Sequence, residues 1–198
     1  MSSTQSAELI AQLNSLLRLT SHEASTARAR VSQATTDALR KELLDNASKC
    51  DERVALIRQA VCDLGGAPDV VGSVVSKAVA AAKLPVEQTL PITEALLTDL
   101  ALEHQLFDRA RLVGFLAAAA DMPDLVALSE RLEEAHGNTI QWLFDRLREN
   151  AAGGPSGLVP TGMQVAATQA RTAAAFAGGA LVNGLNRVVT RSERKVAR

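Results

Sequence analysis

The stretch Leu132-Glu133-Glu134-Ala135-His136, residues 132–136, decides the reading of the fold. It lies in a run where Leu125, Leu132, His136, Ile140, Leu143 and Leu147 recur at three-, four- and seven-residue steps. That period describes one face of an α-helix turned toward a partner. Glu133 and His136 are three residues apart, so both side chains fall on neighbouring positions of that face. Two polar groups thus stand where a helical bundle normally packs leucine.

Working outward, three more seams of the same kind precede it. Residues 5–33 carry Leu9, Leu13, Leu16, Thr20, Glu23, Ala27 and Val31 at helical steps. Ser32 to Asp37 is a polar break with Asp37 as a candidate N-cap. A second helix to about Leu64 shows Leu43, Ala47, Cys50, Val54, Ile57, Val61 and Leu64, and stops at Gly65-Gly66 and Pro68. A third starts near Pro91 with Leu96, Leu100, Glu103, Phe107, Ala110 and Gly114, and Asp121-Met122-Pro123-Asp124 turns the chain into the fourth, which runs to about Asn150. Ala151 to Gly162, rich in glycine and proline, reads as a linker, and residues 163 to 189 as a fifth helix with a charged end.

The turns are short between the first and second helices and between the third and fourth. The connection from Gly65 to Pro91 is long, and Val70 to Lys83 within it has helical character. Short turns make antiparallel hairpins, and one long connection lets the second hairpin pack on the first in crossover topology. The expected organisation is a four-helix bundle over residues 1–150, a linker at 151–162, and a C-terminal amphipathic helix with a basic tail at 163–198.

Composition agrees with an all-α chain. Tyrosine is absent and aromatic residues make up 3% of the 198 positions, which suits closely packed helices. The net charge of −1 gives no overall field for nucleic acid or acidic substrates. The charge is unevenly placed, however. Arg171, Arg187, Arg191, Arg194, Lys195 and Arg198 face only Glu193 after residue 150, a net of +5 that leaves −6 for the first 150 residues. Arg187 to Arg198 is therefore a candidate contact for a protein partner or an anionic membrane surface. Without aromatics or a dense lysine run, nucleic acid ranks lower.

Cys50 and Cys62 are twelve residues apart on one helix, about 18 Å at the helical rise, so they cannot pair there. Reduced thiols suit a cytoplasmic protein. The N-terminus lacks a signal-peptide pattern, and the weakly polar run from Thr172 to Asn186 is too short to span a bilayer. No glycine-rich phosphate loop, Cys-x-x-Cys or nucleophile elbow is present. Hydrolase chemistry has no support, and the pattern leans away from an enzyme.

Two stretches resemble the ferritin-like superfamily, in particular small bacterial and actinobacterial ferritin-like domains of unassigned function. One runs from Leu13-Asn14-Ser15-Leu16-Leu17 through His22-Glu23-Ala24 to Leu64-Gly65-Gly66-Ala67-Pro68. The other is Leu102-Glu103-His104-Gln105-Leu106-Phe107-Asp108, leading on to Leu132-Glu133-Glu134-Ala135-His136. The likeness covers about residues 5–150. It implies a ferritin-like four-helix bundle with a long crossover between the second and third helices, plus the fifth helix. By position it implies Glu23, Glu103, Glu133 and His136 as metal ligands, with iron or manganese as the metal. The second Glu-x-x-His that such a centre needs is missing from the second helix, where Asp45 with Ser48, or Ala47 with Cys50, stand instead.

Three seam carboxylates and one histidine fall short of the four carboxylates and two histidines of a full two-metal site. One divalent ion could be held, with water or Asp45 completing its shell. The other arrangement is a buried polar cluster, with His136 bonded to Glu23 or Glu103 and a carboxylate protonated or paired with Arg28 or Arg109. His22 and His104 sit one residue off the seam glutamates and read as rim residues, Cys50 as small core, and Trp142 as packing or interface. The expected function is a ferritin-like binding, scaffold or stress-associated protein. Its metal centre is partial or vestigial, and its C-terminal helix serves homo-oligomerisation or partner docking. The alternative is a metal-binding ferritin-like protein in iron or manganese handling, with oxidoreductase chemistry.

Overall fold

Four long helices form along the four seams. The computed structural model describes residues 3–69, 90–152, 157–170 and 172–174. Helix α1 spans Ser3–Arg30 and tightens into a 3-10 turn at Val31–Gln33, α2 spans Asp37–Asp63, α3 Ile92–Ala119 and α4 Pro123–Ala151. A fifth helix, α5, covers 162–170 and resumes at 172–174. The described residues hold no strand, only one isolated antiparallel bridge between Ala34 and Leu158. The helical character expected for 70–83, and the basic end from Arg187 to Arg198, lie outside the described residues.

Local chemistry sets the boundaries. Thr36, not Asp37, caps α2: its hydroxyl accepts from the Leu39 amide at 3.2 Å, and Asp37 becomes the first helical residue, where its charge suits the helix dipole. At the other end Gly65 takes a left-handed φ of 74°, and the Gly66 amide returns to the Val61 carbonyl at 2.9 Å, closing the helix as glycine permits. Pro123 opens α4 after the turn at Asp121.

α1 pairs with α2, α3 with α4, and α1 lies against α3. Arg30 at the end of α1 bonds Asp99 near the start of α3, while Gln12 near the start of α1 bonds Arg109 further along α3. These contacts make α1 and α3 antiparallel, so the order is up, down, down, up. The connection that leaves α2 begins by running along α1. The Asn14 side chain donates to the Ala67 carbonyl at 3.3 Å and accepts from the Asp69 amide at 2.8 Å, and Arg18 pairs with Asp69 at 3.0 Å.

The core divides in two. One cluster gathers Leu9, Leu13, Leu16 and Leu17 with Ile57, Val61, Leu106, Val113, Leu125 and Leu132. The other gathers Ala34, Leu39, Leu43, Leu96, Leu100, Ile140, Leu143 and Leu158. Each buried leucine contributes roughly 1.5–3 kcal/mol, so these layers dominate the stability. On α3 the buried face passes through Leu106 and Val113, one residue before the Phe107 and Gly114 expected from the sequence. Phe107 is half-buried and lies beside Gly137, with the Arg111 guanidinium over its ring at 4.6 Å.

Part of the stretch expected to be linker is built into the fold. The Thr35 amide donates to the Gly157 carbonyl and the Val159 amide to the Gln33 carbonyl, both at 2.8 Å. α5 starts with a reciprocal cap: Gln164 Oε1 accepts from the Thr161 amide at 2.9 Å, and Thr161 Oγ1 accepts from the Gln164 amide at 3.3 Å. The fully buried Gln164 also accepts from Gln33 Nε2 at 2.6 Å. Val165, on the next position of this helix, is 41% exposed, so α5 is held by a polar anchor.

Candidate functional site

Between the two apolar clusters all four helices break to polar residues at one level. α1 supplies Glu23, with Thr20 a turn earlier; α2 supplies Cys50 and Arg53; α3 supplies Glu103; α4 supplies His136. Glu23 and Glu103 are 3% exposed and His136 is fully buried. Seam exceptions at Thr20, Glu23, Glu103 and His136, with Arg53 flanking the α2 seam, lie at one level and so come together.

His136 Nδ1 lies 2.9 Å from Glu103 Oε2 and 3.8 Å from Glu23 Oε2. Arg53 Nη2 donates to Glu23 Oε1 at 2.7 Å and to Cys50 Sγ at 3.0 Å. Ligand atoms of Glu23, Glu103 and His136 all fall within 4.8 Å of one another. Among the described residues, Glu23 Oε2, His136 Nε2, Arg53 Nε and Thr20 Oγ1 are buried without a hydrogen-bond partner.

Burial sets the protons. It pushes Glu103 up to about 8, opposed by Arg53 and aided by Asp99. It presses His136 down to about 4, where the Glu23 charge pulls the other way. Glu23 is raised too, first by burial and then by Glu103, while Arg53 holds it down. The Cys50 thiol is pushed up by burial and by the Glu23 charge beside it. Where Glu103 keeps its proton it donates to His136 Nδ1, and this neutral pair lies next to Glu23 and its Arg53 partner.

Three of the four residues expected as ligands therefore meet. Glu133 does not: it points to α3, pairing with Arg111 Nε at 3.1 Å on the outer face. Three residues on a helix leave an offset of about 60°, enough to carry Glu133 to the edge of the stripe that His136 centres. The expected cationic partners Arg28 and Arg109 are engaged elsewhere, Arg28 with Asp51 and Arg109 with Gln12 at 2.7 Å. His104 is exposed and His22 half-buried, as rim residues would be. Asp45 is exposed on α2 and lines the groove described next.

Arg53 escaped the sequence reading: it lies one turn beyond Cys50 on α2, outside the positions Asp45 with Ser48 and Ala47 with Cys50 at which the resemblance looks for a second Glu-x-x-His. Arg53 also lines a groove of about 730 Å³ between α2 and α4, with Lys49, Arg131, Glu134, Asn138, Thr139 and Trp142 among its other walls. The centre thus adjoins a surface opening through the side chain that neutralises it.

The donor set can be tested against the metals expected for it. A pair of ions does not fit, because Glu133 faces outward and α2 brings a high-pKa thiol and a permanent cation where two more donors are needed. For a single ion, Glu23, Glu103 and His136 bring hard and borderline donor atoms within 4.8 Å of one another and would hold it there.

No protein-family model and no curated protein matches the sequence. The fold is similar to the crystal structure of a protein from Xanthomonas campestris pv. campestris, with a TM-score of 0.58 and 14% identity. The match covers 75% of this chain and 95% of that one. At such identity the likeness concerns the helical fold alone. Among the described residues no helix is long and apolar enough to cross a membrane.

Proposed function

We propose that this protein is a ferritin-like bundle acting as a cytoplasmic binding or stress-associated scaffold, with a vestigial metal centre and a C-terminal helix used for self-association or partner docking. The observation that carries the reading is Arg53 Nη2 bonded at 2.7 Å to Glu23, inside the layer where a working centre would place a cation. A guanidinium cannot lose its charge at any ordinary pH, so it neutralises Glu23 permanently. The polar layer then fixes helix register between two apolar clusters through its Glu23–Arg53 and Glu103–His136 pairs.

Elemental analysis of untagged protein purified without chelators, beside His136→Ala, tests this. Both proteins are expected to carry no stoichiometric metal. Removal of residues 163–198 is expected to leave residues 5–150 folded by circular dichroism while abolishing assembly or partner capture. A truncated protein with unchanged association would remove the docking role.

A second reading is favoured by the open valences on Glu23 Oε2 and His136 Nε2. In it the protein handles iron or manganese with Glu23, Glu103 and His136 as ligands and Glu133 outside the set. Near-stoichiometric metal in the natural protein, lost in His136→Ala, would favour it.

A further inference from the structure

We infer that Arg53 is the specificity-determining residue of the buried centre: its charge keeps a divalent cation out, and without it Glu23, Glu103 and His136 would bind one. The inference rests on the vestigial-centre reading. Three observations carry it: the position of the guanidinium, the charge balance of the layer, and the groove that Arg53 lines.

Arg53 bonds the same carboxylate that an ion among the three donors would need, and Glu23 has one oxygen on the guanidinium and the other without a partner among the described residues. Two carboxylates carry −2. With Arg53 at +1, a single proton completes neutrality. A divalent ion added to this set would leave +1 in a layer where Glu23, Glu103 and His136 are all shut from solvent, and an unbalanced buried charge is strongly disfavoured. Without Arg53 the balance inverts: two carboxylates and one divalent ion are neutral, and His136 completes a three-donor set with room for water.

Arg53 forms part of the wall of the groove between α2 and α4, as do Asn138 and Thr139, two and three residues beyond His136 on α4, whereas the three donors lie behind it, closed to solvent. An ion arriving there meets Arg53 before it meets the donors.

Calorimetric titration of the full chain with Zn²⁺ and with Mn²⁺ tests this, comparing the natural protein, Arg53→Gln, Arg53→Met, Arg53→Lys and Arg53→Gln/His136→Ala. Arg53→Met keeps the aliphatic stem and covers failure of the glutamine variant to fold, with circular dichroism as the check. Arg53→Gln and Arg53→Met are expected to take up one equivalent, at least about 100-fold more tightly than the natural protein, since one charge a few ångströms away is removed. Arg53→Lys should stay weak, and the double variant should lose the gain. No tighter binding in the folded neutral variants, or equal tightening in Arg53→Lys, overturns the inference. A metal-free natural protein with a metal-free Arg53→Gln defeats this inference only. A natural protein that already holds one equivalent through His136 defeats the vestigial reading along with it.

Discussion

His136 Nδ1 and Glu103 Oε2 are 2.9 Å apart across α3 and α4, and burial drives both groups toward their neutral forms. They therefore act on stability in opposite directions as pH changes.

Folded Glu103 keeps its proton to about 8, against 4.5 ordinarily, so its contribution is complete below pH 4.5 and is lost as pH rises toward 8. Folded His136 stays neutral down to about 4, against 6.5 ordinarily, so its contribution is complete above 6.5 and is lost as pH falls toward 4. Between 4.5 and 6.5 Glu103 and His136 oppose each other; above 6.5 Glu103 sets the trend, and Glu23, raised as well, acts in the same direction. Urea unfolding should show greatest stability near about pH 5.5 and a progressive loss, on the order of 2 kcal/mol, between about pH 6.5 and 8. Glu103→Gln, which donates to Nδ1 without titrating, should flatten that loss. A natural protein with constant stability from pH 6.5 to 8 would mean that Glu103 is ionised throughout.

Glu23, Glu103 and His136 were legible because a polar residue on an apolar seam stands out as an exception to a period. Arg53 was not, since it flanks the seam between Cys50 and Val54 and reaches the layer only through its long stem. Glu133 misled in the opposite sense: its spacing from His136 suits a shared face, yet Arg111 on α3 captures it at the edge. The one-residue slip from Phe107 to Leu106 on α3 has a similar origin, because steps of three and of four are both helical and only packing against α1 and α4 chooses between them. The docking of 157–164 on the turn at 33–36 rests on side-chain amides and backbone bonds that carry no periodic signal.

Arg30 should be the residue whose loss is felt farthest away. Its Nε and Nη2 grip Asp99 at 2.9 and 3.1 Å, and its Nη1 donates to Gln33 Oε1 at 3.0 Å; Gln33 in turn holds Gln164. The pair is nearly closed to water, at 8% and 13% side-chain exposure. Arg30→Ala is expected to cost about 3 kcal/mol in urea unfolding by stranding Asp99. It should also speed hydrogen exchange at the amides of Thr35 and Val159. Unchanged exchange there would show that the 157–164 segment is held independently of Arg30.

The two thiols should differ sharply in reactivity. Cys62 is exposed, whereas Cys50 is buried, bonded by Arg53 and pushed toward its protonated form. A disulfide-exchange reagent at pH 8 is expected to modify one thiol in the native protein and two in denaturant. Two fast thiols in the native protein would show that the polar layer opens readily.

Gly114 on α3 sits hard against Ser129 on α4. A Cβ placed there would lie 2.5 Å from Ser129 Oγ and 3.3 Å from Ser129 Cβ, with Ser129 itself 1% exposed. The hydroxyl already donates to the Val126 carbonyl at 2.8 Å, so rotating it away sacrifices a buried bond, and the Cβ contact stays tight in any rotamer. Gly114→Ala gains intrinsic helix propensity of about 1 kcal/mol, and overpacking at a helix crossing costs about 1–3 kcal/mol. The steric cost is expected to win, lowering the urea midpoint without changing the slope. Adding Ser129→Gly removes both offending atoms, so the double variant should recover part of the loss although Ser129→Gly alone destabilises α4. That sign of coupling separates a true close approach from a general intolerance of α3 to substitution. Strictly additive losses would mean that the two helices part at Gly114 with little resistance.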